Sequence, residues 1–421
     1  MNQQAATMPK EELKTPGYAW VVLFAVYMAS LAAPLNLFKV PPMLTTLADP
    51  SVFNLSQGNQ GYLMSVFSIM GFILAIPAGF ILKRFGIKMT VLCAVAAIMI
   101  GSALGALSHT VAQLFVGRFI EGAGMGLIMV AAPLAISLWF PADRRGLPMG
   151  LWASCIGVGS VAMLIIGPIL AAPDQVATAA AKDYHWQAVW WAGAIFAAAA
   201  FVVFAALFRL PKHGELAEAP AQVSSKPEPD EPVSLTKAMA NHNLWLLSLE
   251  FLCFNLVIMA LSTFYPVFLE GLQYSKERAS FIASLIWMVA IFSSPLGSYI
   301  SDRMRSRKMV IVAPFIVIAL LFLVPFSVAG WMISAYLIVL GLFMGPIAPV
   351  TLAAVPEVMK SPREIGIGMG VAALGQNLGM FIGPVLFSQI WQASGSLATA
   401  GFWMIPLCVL GIICGWVAKI R

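Results

Sequence analysis

The sequence is poor in charge. Only 10% of its 421 residues are Asp, Glu, Lys or Arg, whereas 60% are hydrophobic. A soluble domain carries about 25% charged residues, so this chain has too few ionic groups to cover a water-facing surface of its own size. The composition excludes a soluble enzyme, a disordered regulator and a nucleic-acid-binding domain. The apolar residues suffice for about a dozen membrane spans of about 20 residues each.

Residues that build disulfides and metal sites are also scarce. The five cysteines lie inside apolar stretches without paired spacing, and the four histidines are scattered. We therefore expect no disulfide framework, no metal site and no cofactor. The sequence has no Ser-His-Asp set, no Gly-rich phosphate loop and no nucleotide motif, so it predicts neither an enzyme nor an ATP-driven pump.

Long apolar runs are what the sequence has in abundance. They continue for about 20 residues or more without strict alternation, which predicts helices rather than barrel strands, because backbone groups in lipid must be paired within the protein. The polar breaks define twelve predicted spans: 17–47, 58–83, 87–108, 112–139, 145–172, 185–210, 241–272, 276–301, 307–328, 331–357, 364–392 and 396–420. We therefore predict an all-α polytopic membrane protein.

Lysine and arginine are distributed unevenly over the breaks between these spans. With the N-terminus inside, 19 of the 24 fall on the cytoplasmic side, and this bias sets the orientation of a membrane protein. Both termini are therefore predicted to be cytoplasmic, in the inner membrane of a bacterium because the loops are short. Residues 1–16 are predicted to be a cytoplasmic tail, and the Pro-, Glu- and Ser-rich stretch 211–240 a cytoplasmic linker.

The two parts of the chain that flank this linker repeat each other. A shift of 216 residues superposes Pro133 on Pro349, Gly150 on Gly366, Gly159 on Gly375, Gly167 on Gly383 and Pro168 on Pro384. The repeat predicts two pseudo-symmetric six-helix bundles, residues 17–210 and 241–421. Parallel repeats of this kind are typical of carriers that alternate access to a site at the membrane midplane.

Two loops and two helices carry further motifs. The loop after the second span has Gly79, a basic residue four positions later and a basic, Gly-containing turn, and an offset of 219 relates it to the loop after the eighth span. The fourth span contains the stretch from Arg118 to Gly124, and the fifth span ends with Gly167 and Pro168, which recur in the eleventh span.

These motifs resemble those of the major facilitator superfamily over essentially the full length of the chain. The resemblance implies the twelve-helix fold, transport by rocking of two bundles, a monomer, and a gating or structural role for Gly79, Lys83, Arg84, Gly86, Lys88, Asp302, Arg303, Gly167, Pro168, Gly383 and Pro384. The first loop departs from the family pattern, because Lys83 stands where an acid is usual. The family's Gly-Pro motif in the fifth helix is associated mostly with exporters, although its recurrence here favours a packing role.

Four ionisable residues inside the spans are candidates for the transport chemistry, because charge in lipid is costly. Arg118 and Glu121 lie three residues apart on one helix and are expected to pair, either to tie the fourth helix to the backbone of the first or to serve an anion or a proton. Glu250, inside the seventh helix, is predicted to bind and release a proton; alternatively it reaches the interface near His242 or pairs with a base. Lys39 either snorkels to the outer interface or binds an anion.

Two narrower resemblances bear on the substrate. The opening 16–20 followed by Lys39 is similar to the start of monocarboxylate transporters, which implies that Lys39 binds substrate. The stretch 375–379 in the eleventh helix looks like a motif of nitrate carriers. Gln376 and Asn377 are therefore expected either to bind substrate as neutral groups or to form helix–helix hydrogen bonds.

The leading prediction is a secondary transporter that takes up a small organic anion, such as a carboxylate, with protons. Arg118 or Lys39 would attract the anion, and Glu250 or Glu121 would carry the proton. The alternative is proton-driven efflux of amphipathic or cationic compounds, with Glu121 or Glu250 as the acceptor. A non-transporting receptor or membrane enzyme is least expected, because the outer loops are short and no catalytic set is found. The expected partners are the small-molecule substrate, protons and the lipid bilayer.

Overall fold

The structure is a computed structural model that describes residues 17–74, 77–141, 144, 146–172, 185–211, 240–324, 326–359 and 365–420. Within these residues the chain forms α-helices, one short 3-10 helix and no strand. The predicted tail, and the predicted linker apart from its two end residues, lie outside the described residues.

The first half forms the N-terminal bundle. Its helices are α1 (Tyr18–Leu37), the 3-10 helix (Pro41–Met43), α2 (Leu44–Ala48), α3 (Gln57–Leu74), α4 (Pro77–Ala106), α5 (Val111–Trp139), α6 (Gly146–Ala153), α7 (Cys155–Leu170) and α8 (Trp186–Leu207). The second half forms the C-terminal bundle. Its helices are α9 (His242–Gly271), α10 (Lys276–Met304), α11 (Arg307–Leu321), α12 (Met332–Met344), α13 (Ile347–Val358), α14 (Ile365–Ser394), α15 (Leu397–Phe402) and α16 (Ile405–Val417).

Each of the twelve predicted spans coincides with helix, which confirms the predicted fold class. Ten spans within the described residues are long and apolar enough on their own to cross a membrane. The second is divided between α3 and the start of α4, and the ninth is α11, with 15 residues. The fifth, tenth and twelfth spans each consist of two helices; in the tenth, Pro346 lies at the break because proline has no backbone N–H for a helix interior.

The turn between the second and third spans is a single residue inside α4. Gly86 has φ +74°, and the rest of α4 keeps helical dihedrals. This left-handed region is readily available to glycine, which explains why the motif has glycine here. For Gly79, where a gating or structural role is expected, no atom of another described helix lies within 4 Å of a Cβ built there.

Glycines allow α14 to lie directly on α9. A Cβ added to three glycines spaced four residues apart would lie 2.2 to 2.3 Å from backbone carbonyl oxygens of α9; the pairs are Gly375 with Ser248, Gly379 with Leu252, and Gly383 with Leu256. In the N-terminal bundle, Gly159 of α7 also lies close to α1, where a Cβ built on it would be 2.8 Å from Pro34 Cγ and 3.0 Å from the Leu35 nitrogen. Small residues that bring membrane helices together are the usual basis of such packing, which supports the structural role expected for Gly383.

The two bundles meet at one end. We call this the outer end, because the predicted orientation places it outside the cytoplasm; the inner end is where α1 begins and α16 ends. Within the described residues, the hydrogen bonds that join the bundles all lie at the outer end: Thr45 with Glu270, Thr46 with Lys276, and Gly58 with Ser388 and Gln389. At the inner end, Cβ atoms built at Gly150 and Gly370 have no neighbour within 4 Å among the described residues. In the part of the chain that the structure describes, hydrogen bonds therefore fasten the bundles at the outer end and not at the inner end.

A pair of substitutions on α14 tests this packing. Gly379→Ala places a methyl group against the backbone of α9, and we expect it to destabilise the protein by about 1–3 kcal/mol. Gly370→Ala, on the same helix in open space, is expected to be neutral or to stabilise by up to about 1 kcal/mol, because alanine favours helix. The measurement is the apparent melting temperature of each purified variant in detergent; equal melting temperatures would contradict the close approach of α9 and α14.

Candidate functional site

Three of the four predicted charges form one cluster inside the N-terminal bundle. The side chains of Lys39, Arg118 and Glu121 are all 0% exposed. Glu121 Oε1 lies 2.5 Å from Lys39 Nζ, and Glu121 Oε2 lies 2.6 Å from Arg118 Nη1. The predicted pair of Arg118 and Glu121 is observed, and Lys39 joins it from another part of the chain. With all three groups charged, the cluster carries a net charge of +1.

Lys39 lies in the bend between α1 and the 3-10 helix. Besides Glu121, its ammonium donates to Asn36 Oδ1 at 3.0 Å and to Ser102 Oγ at 2.8 Å. An ammonium has three N–H donors, and these three acceptors use all of them. Lys39 Nζ also lies 4.9 Å from the ring centroid of Trp190. Snorkelling to the outer interface is therefore not observed, because the side chain points into the bundle.

Arg118 connects α5 to the end of α1. Its Nη1 donates to the carbonyl oxygen of Asn36 at 2.7 Å, and its Nη2 lies 3.5 Å from that of Leu37. The guanidinium carbon lies 4.6 Å from the ring centroid of Phe67 on α3. This is the predicted tie between the fourth helix and the backbone of the first, so the structural interpretation of Arg118 describes its contacts correctly.

Sequence reasoning missed the neutral members of this cluster. Asn36 accepts from Lys39 through its side chain and from Arg118 through its carbonyl. Ser102 accepts from Lys39 and donates to the carbonyl of Trp190 at 2.6 Å. For Asn36 a signal was present, since it is a polar residue three positions before Lys39 in an apolar run; Ser102 had none, because serine is common in these spans.

Glu250 lies apart from the cluster, inside the C-terminal bundle. It is 0% exposed, and its Oε2 accepts a hydrogen bond from Thr351 on α13 at 2.9 Å. Its Oε1 has no hydrogen-bond partner among the described residues. Its Cγ lies 3.9 Å from a Cβ built at Gly415 on α16. The carboxyl therefore faces its own bundle; neither the route to the interface near His242 nor a basic partner is found within the described residues.

Of the two predicted amides of α14, Asn377 lies where the bundles meet. Asn377 Nδ2 donates to the Ala373 carbonyl of its own helix at 2.9 Å, and its Oδ1 lies 2.4 Å from a Cβ built at Gly71 on α3. Asn377 therefore makes a contact between the two bundles. Gln376 is half-buried beside it. Neither amide contacts the charged cluster.

The two motif loops differ in their charges. In the C-terminal loop, Arg307 Nη2 lies 3.1 Å from Asp302 Oδ1, and Arg307 Nε lies 2.8 Å from Glu357 Oε1 on α13. In the N-terminal loop, Lys88 stands at the position of Arg307 and donates to a backbone carbonyl of α8 at 3.0 Å. Lys83, where the family usually has an acid, is exposed. The N-terminal loop therefore has Lys83 at the motif position where the C-terminal loop has the acid Asp302.

Comparison with known proteins agrees with this architecture. Residues 18–384 match the family model described as Major Facilitator Superfamily. A hexuronate transporter of Bacillus subtilis is 24% identical over 357 residues, with 82% of each chain covered. A nitrite extrusion protein of the same organism is 21% identical over 356 residues, covering 82% of this chain and 81% of that one. A class D tetracycline resistance protein of Salmonella ordonez is 25% identical over 359 residues, covering 84% and 85%.

Among solved structures, a D-xylose-proton symporter is 16% identical and superposes with a TM-score of 0.72, covering 96% of this chain and 97% of that one. At this identity the similarity shows the fold alone. The family model, by contrast, spans most of the sequence and both bundles. The protein is therefore a polytopic membrane protein of the major facilitator superfamily, a family of secondary transporters.

Proposed function

We propose that the protein moves a small organic anion, such as a carboxylate, together with a proton, and that both bind at the cluster of Lys39, Arg118 and Glu121. The observation that carries this proposal is the net positive charge of a fully buried cluster whose single carboxylate contacts both cations. Charged groups inside a membrane domain are retained at a high energetic cost, which favours a functional role.

The geometry provides a way to couple the two solutes. While Glu121 is ionised, its two oxygens occupy the two cations, one at Lys39 and one at Arg118. A proton on Glu121 removes its negative charge. Lys39 and Arg118 then have no anionic partner. A substrate carboxylate then replaces the charge that Glu121 has lost, so the anion binds well only after the proton.

Charge balance favours one proton for each anion. The empty cluster carries +1, and the cluster with one proton and one monovalent anion also carries +1. A proton alone raises the charge to +2 and breaks buried ion pairs at a cost of about 3–5 kcal/mol, and the anion that follows restores an ion pair. We propose uptake as the direction, because a proton gradient directed into the cell drives both solutes inward.

The names of relatives agree with an anionic substrate. The hexuronate transporter and the nitrite extrusion protein are named for anions, and each matches about four fifths of this chain. They are only 24% and 21% identical to it, so we take from them a class of solute, the small anion, and not a particular compound.

Access to the cluster requires movement of the bundles. Phe38, directly before Lys39, packs edge-on against Trp287 of α10 with ring centroids 5.0 Å apart. This contact joins the two bundles beside the segment that carries Lys39. Separation of α1 from α10 would uncover this segment, and we propose that the pair closes the site in the present conformation.

The other predicted residues take secondary roles in this proposal. Glu250, whose Oε1 has no hydrogen-bond partner in the described part of the chain, is a second proton site inside the C-terminal bundle. Gln376 and Asn377 offer neutral hydrogen-bonding groups at the junction of the bundles. The motif loops hold the inner end, with Arg307 as the charged centre of the second copy. We place the protein in a bacterial inner membrane, with both termini cytoplasmic and as a monomer.

Efflux of amphipathic or cationic compounds is the second candidate. It is favoured by the similarity to the tetracycline resistance protein and by Gly167 and Pro168 at the end of α7. In that case Glu121 or Glu250 accepts the proton and Lys39 has no part in binding.

Ligand binding to the purified protein separates these two candidates. A ligand at about 100 times its Kd stabilises the folded state by about 2.7 kcal/mol, so a thermal-shift screen against small carboxylates, hexuronates, sugars and lipophilic cations detects it. We expect a narrow set of carboxylates to raise the melting temperature of the parent and of the exposed-site control Lys419→Met, and to have no effect on Lys39→Met.

The screen has a clear contrary outcome. Stabilisation by many unrelated lipophilic cations, unchanged in Lys39→Met and lost in Glu250→Gln, would reject the anion carrier and support efflux. Lys39→Met leaves Glu121 paired with Arg118, so the variant is expected to fold and a missing shift reports on binding.

The pH dependence of binding tests the role of Glu121. If protonation of Glu121 precedes anion binding, the affinity for the carboxylate rises as pH falls, by up to about ten-fold per pH unit. Glu121→Gln carries no titrating carboxyl, so we expect its affinity to be independent of pH between about 5 and 8. The measurement is a calorimetric titration of the carboxylate found above at several pH values.

A double variant is the control for the stability of Glu121→Gln. Glu121→Gln alone leaves two buried cations without a carboxylate, which lowers stability. Adding Lys39→Met returns the net charge of the cluster to +1, so we expect the double variant to melt at a higher temperature than Glu121→Gln, although it binds no carboxylate. A Glu121→Gln variant that keeps the pH slope of the parent would show that another group takes up the proton.

A further inference from the structure

A pair of polar contacts fastens the two bundles at the outer end. Glu270 is the penultimate residue of α9, and Lys276 is the first residue of α10. Both belong to the C-terminal bundle. Their partners are Thr45 and Thr46, consecutive residues of the short helix α2 in the N-terminal bundle. Two neighbouring threonines are therefore held by an acid and a base from the opposite half.

The Glu270 carboxylate is the centre of this arrangement. Its Oε2 accepts a hydrogen bond from Thr45 Oγ1 at 2.7 Å and lies 4.0 Å from Lys276 Nζ, which in turn donates to Thr46 Oγ1. Its Oε1 is buried and has no hydrogen-bond partner among the described residues. The side chains of Glu270 and Lys276 are 13% and 17% exposed, so the group is enclosed but reachable by protons.

We infer that Glu270 is a proton-sensing latch: ionised, it holds the outer ends of the two bundles together, and protonated, it releases them. This inference concerns the change of conformation and does not depend on the anion proposed above or on the charged cluster. It assigns a role to a residue inside the seventh predicted span that the sequence analysis did not select.

The sign of the effect follows from the contacts. A carboxylate is the stronger acceptor, and a hydrogen bond to a charged group is roughly twice as strong as one between neutral groups. Protonation weakens the bond from Thr45 and removes the attraction to Lys276. Acid therefore favours separation at the outer end, and alkali favours the closed arrangement seen here.

The neighbouring charges leave Glu270 as the group that can act in this way. In the first turn of α10, the end that adjoins Glu270, the charged residues are Lys276, Glu277 and Arg278, with Tyr274 just before the helix. At the end of α2, Asp49 accepts bonds from the amide and hydroxyl of Ser51, at 2.9 and 2.7 Å. Arg278 lies over the ring of Tyr274, 5.1 Å from its centroid. Of the two described carboxylates of the C-terminal bundle in this group, Glu270 is the one whose hydrogen bond crosses to the other bundle.

A second contact at the outer end provides a control. The carbonyl of Gly58 on α3 accepts from Ser388 Oγ at 3.1 Å and from Gln389 Nε2 at 3.4 Å, both on α14. These groups are neutral and do not titrate near neutral pH. Ser388→Ala therefore weakens the contact between the bundles without touching the proton-sensing group.

The experiment measures the separation of the outer ends directly. Cysteines introduced at Asn59 of α3 and at Leu272, both exposed, carry spin labels in a background in which the exposed Cys93 is replaced by serine. Distance distributions are recorded by pulsed electron paramagnetic resonance on substrate-free protein at pH 5, 6, 7 and 8. We expect the ratio of long to short distances in the parent to rise about five-fold from pH 8 to pH 5, the effect of losing one partly exposed ion pair.

The variants decide the assignment. Glu270→Gln is expected to show the acid distribution of the parent at every pH, whereas Ser388→Ala is expected to gain long distances and keep the pH response. Thr45→Val, which removes the bond across the bundles but leaves the carboxyl, is expected to gain long distances and to show a smaller pH response. Either a parent without a pH response or a Glu270→Gln variant that keeps it would overturn the latch.

Discussion

Lipid offers no hydrogen-bond partner to a buried charge, and this constraint determines where the ionic groups of the protein lie. In the N-terminal bundle, Lys39 finds three acceptors for its three donors, and Glu121 places each oxygen on a different cation. Glu121 is the member on which the others depend, since its removal leaves two buried cations without a carboxylate in a low dielectric. A transported ion can therefore enter only by replacing a charge that is already there, and this requirement links the anion to the proton in the proposed cycle.

Close approach of backbones is the second condition for the fold. Glycines let α14 lie on α9 within the C-terminal bundle, and other glycines let α3 lie on α14 between the bundles: Cβ atoms built at Gly58, Gly61 and Gly71 would all fall within 2.4 Å of α14 atoms. Surfaces without side chains can separate and meet again without the need to repack large groups. An interface of this kind suits two bundles that rock against each other. In the inferred latch, the polar contacts at its outer end determine whether that end is closed.

The two halves repeat the helices but not the charges. Gly159 and Gly375 occupy equivalent positions, and each lies close to the first helix of its own bundle, α1 or α9. The buried ionic groups have no such symmetry, because the N-terminal bundle holds three of them in one cluster and the C-terminal bundle holds Glu250 with a threonine. At the inner loops the C-terminal half has the ion pairs: Arg307 pairs with Asp302 and Glu357, whereas the equivalent Lys88 has no ion pair among the described residues. In the proposed function, the shared scaffold therefore has different tasks in its two halves: ion binding in the first and fastening in the second.

The sequence by itself determined the number of spans, their positions, the superfamily and the pair Arg118–Glu121. Apolar runs and polar breaks are local, and two residues three apart on a helix share a face by geometry. The tertiary structure alone decided that Lys39, 82 residues from Glu121, joins that pair, that Glu250 faces its own bundle, and that Glu270 reaches Thr45 across 225 residues. Those contacts depend on how helices pack against one another, and in a chain this rich in apolar residues the pattern along one helix does not specify which neighbour it meets.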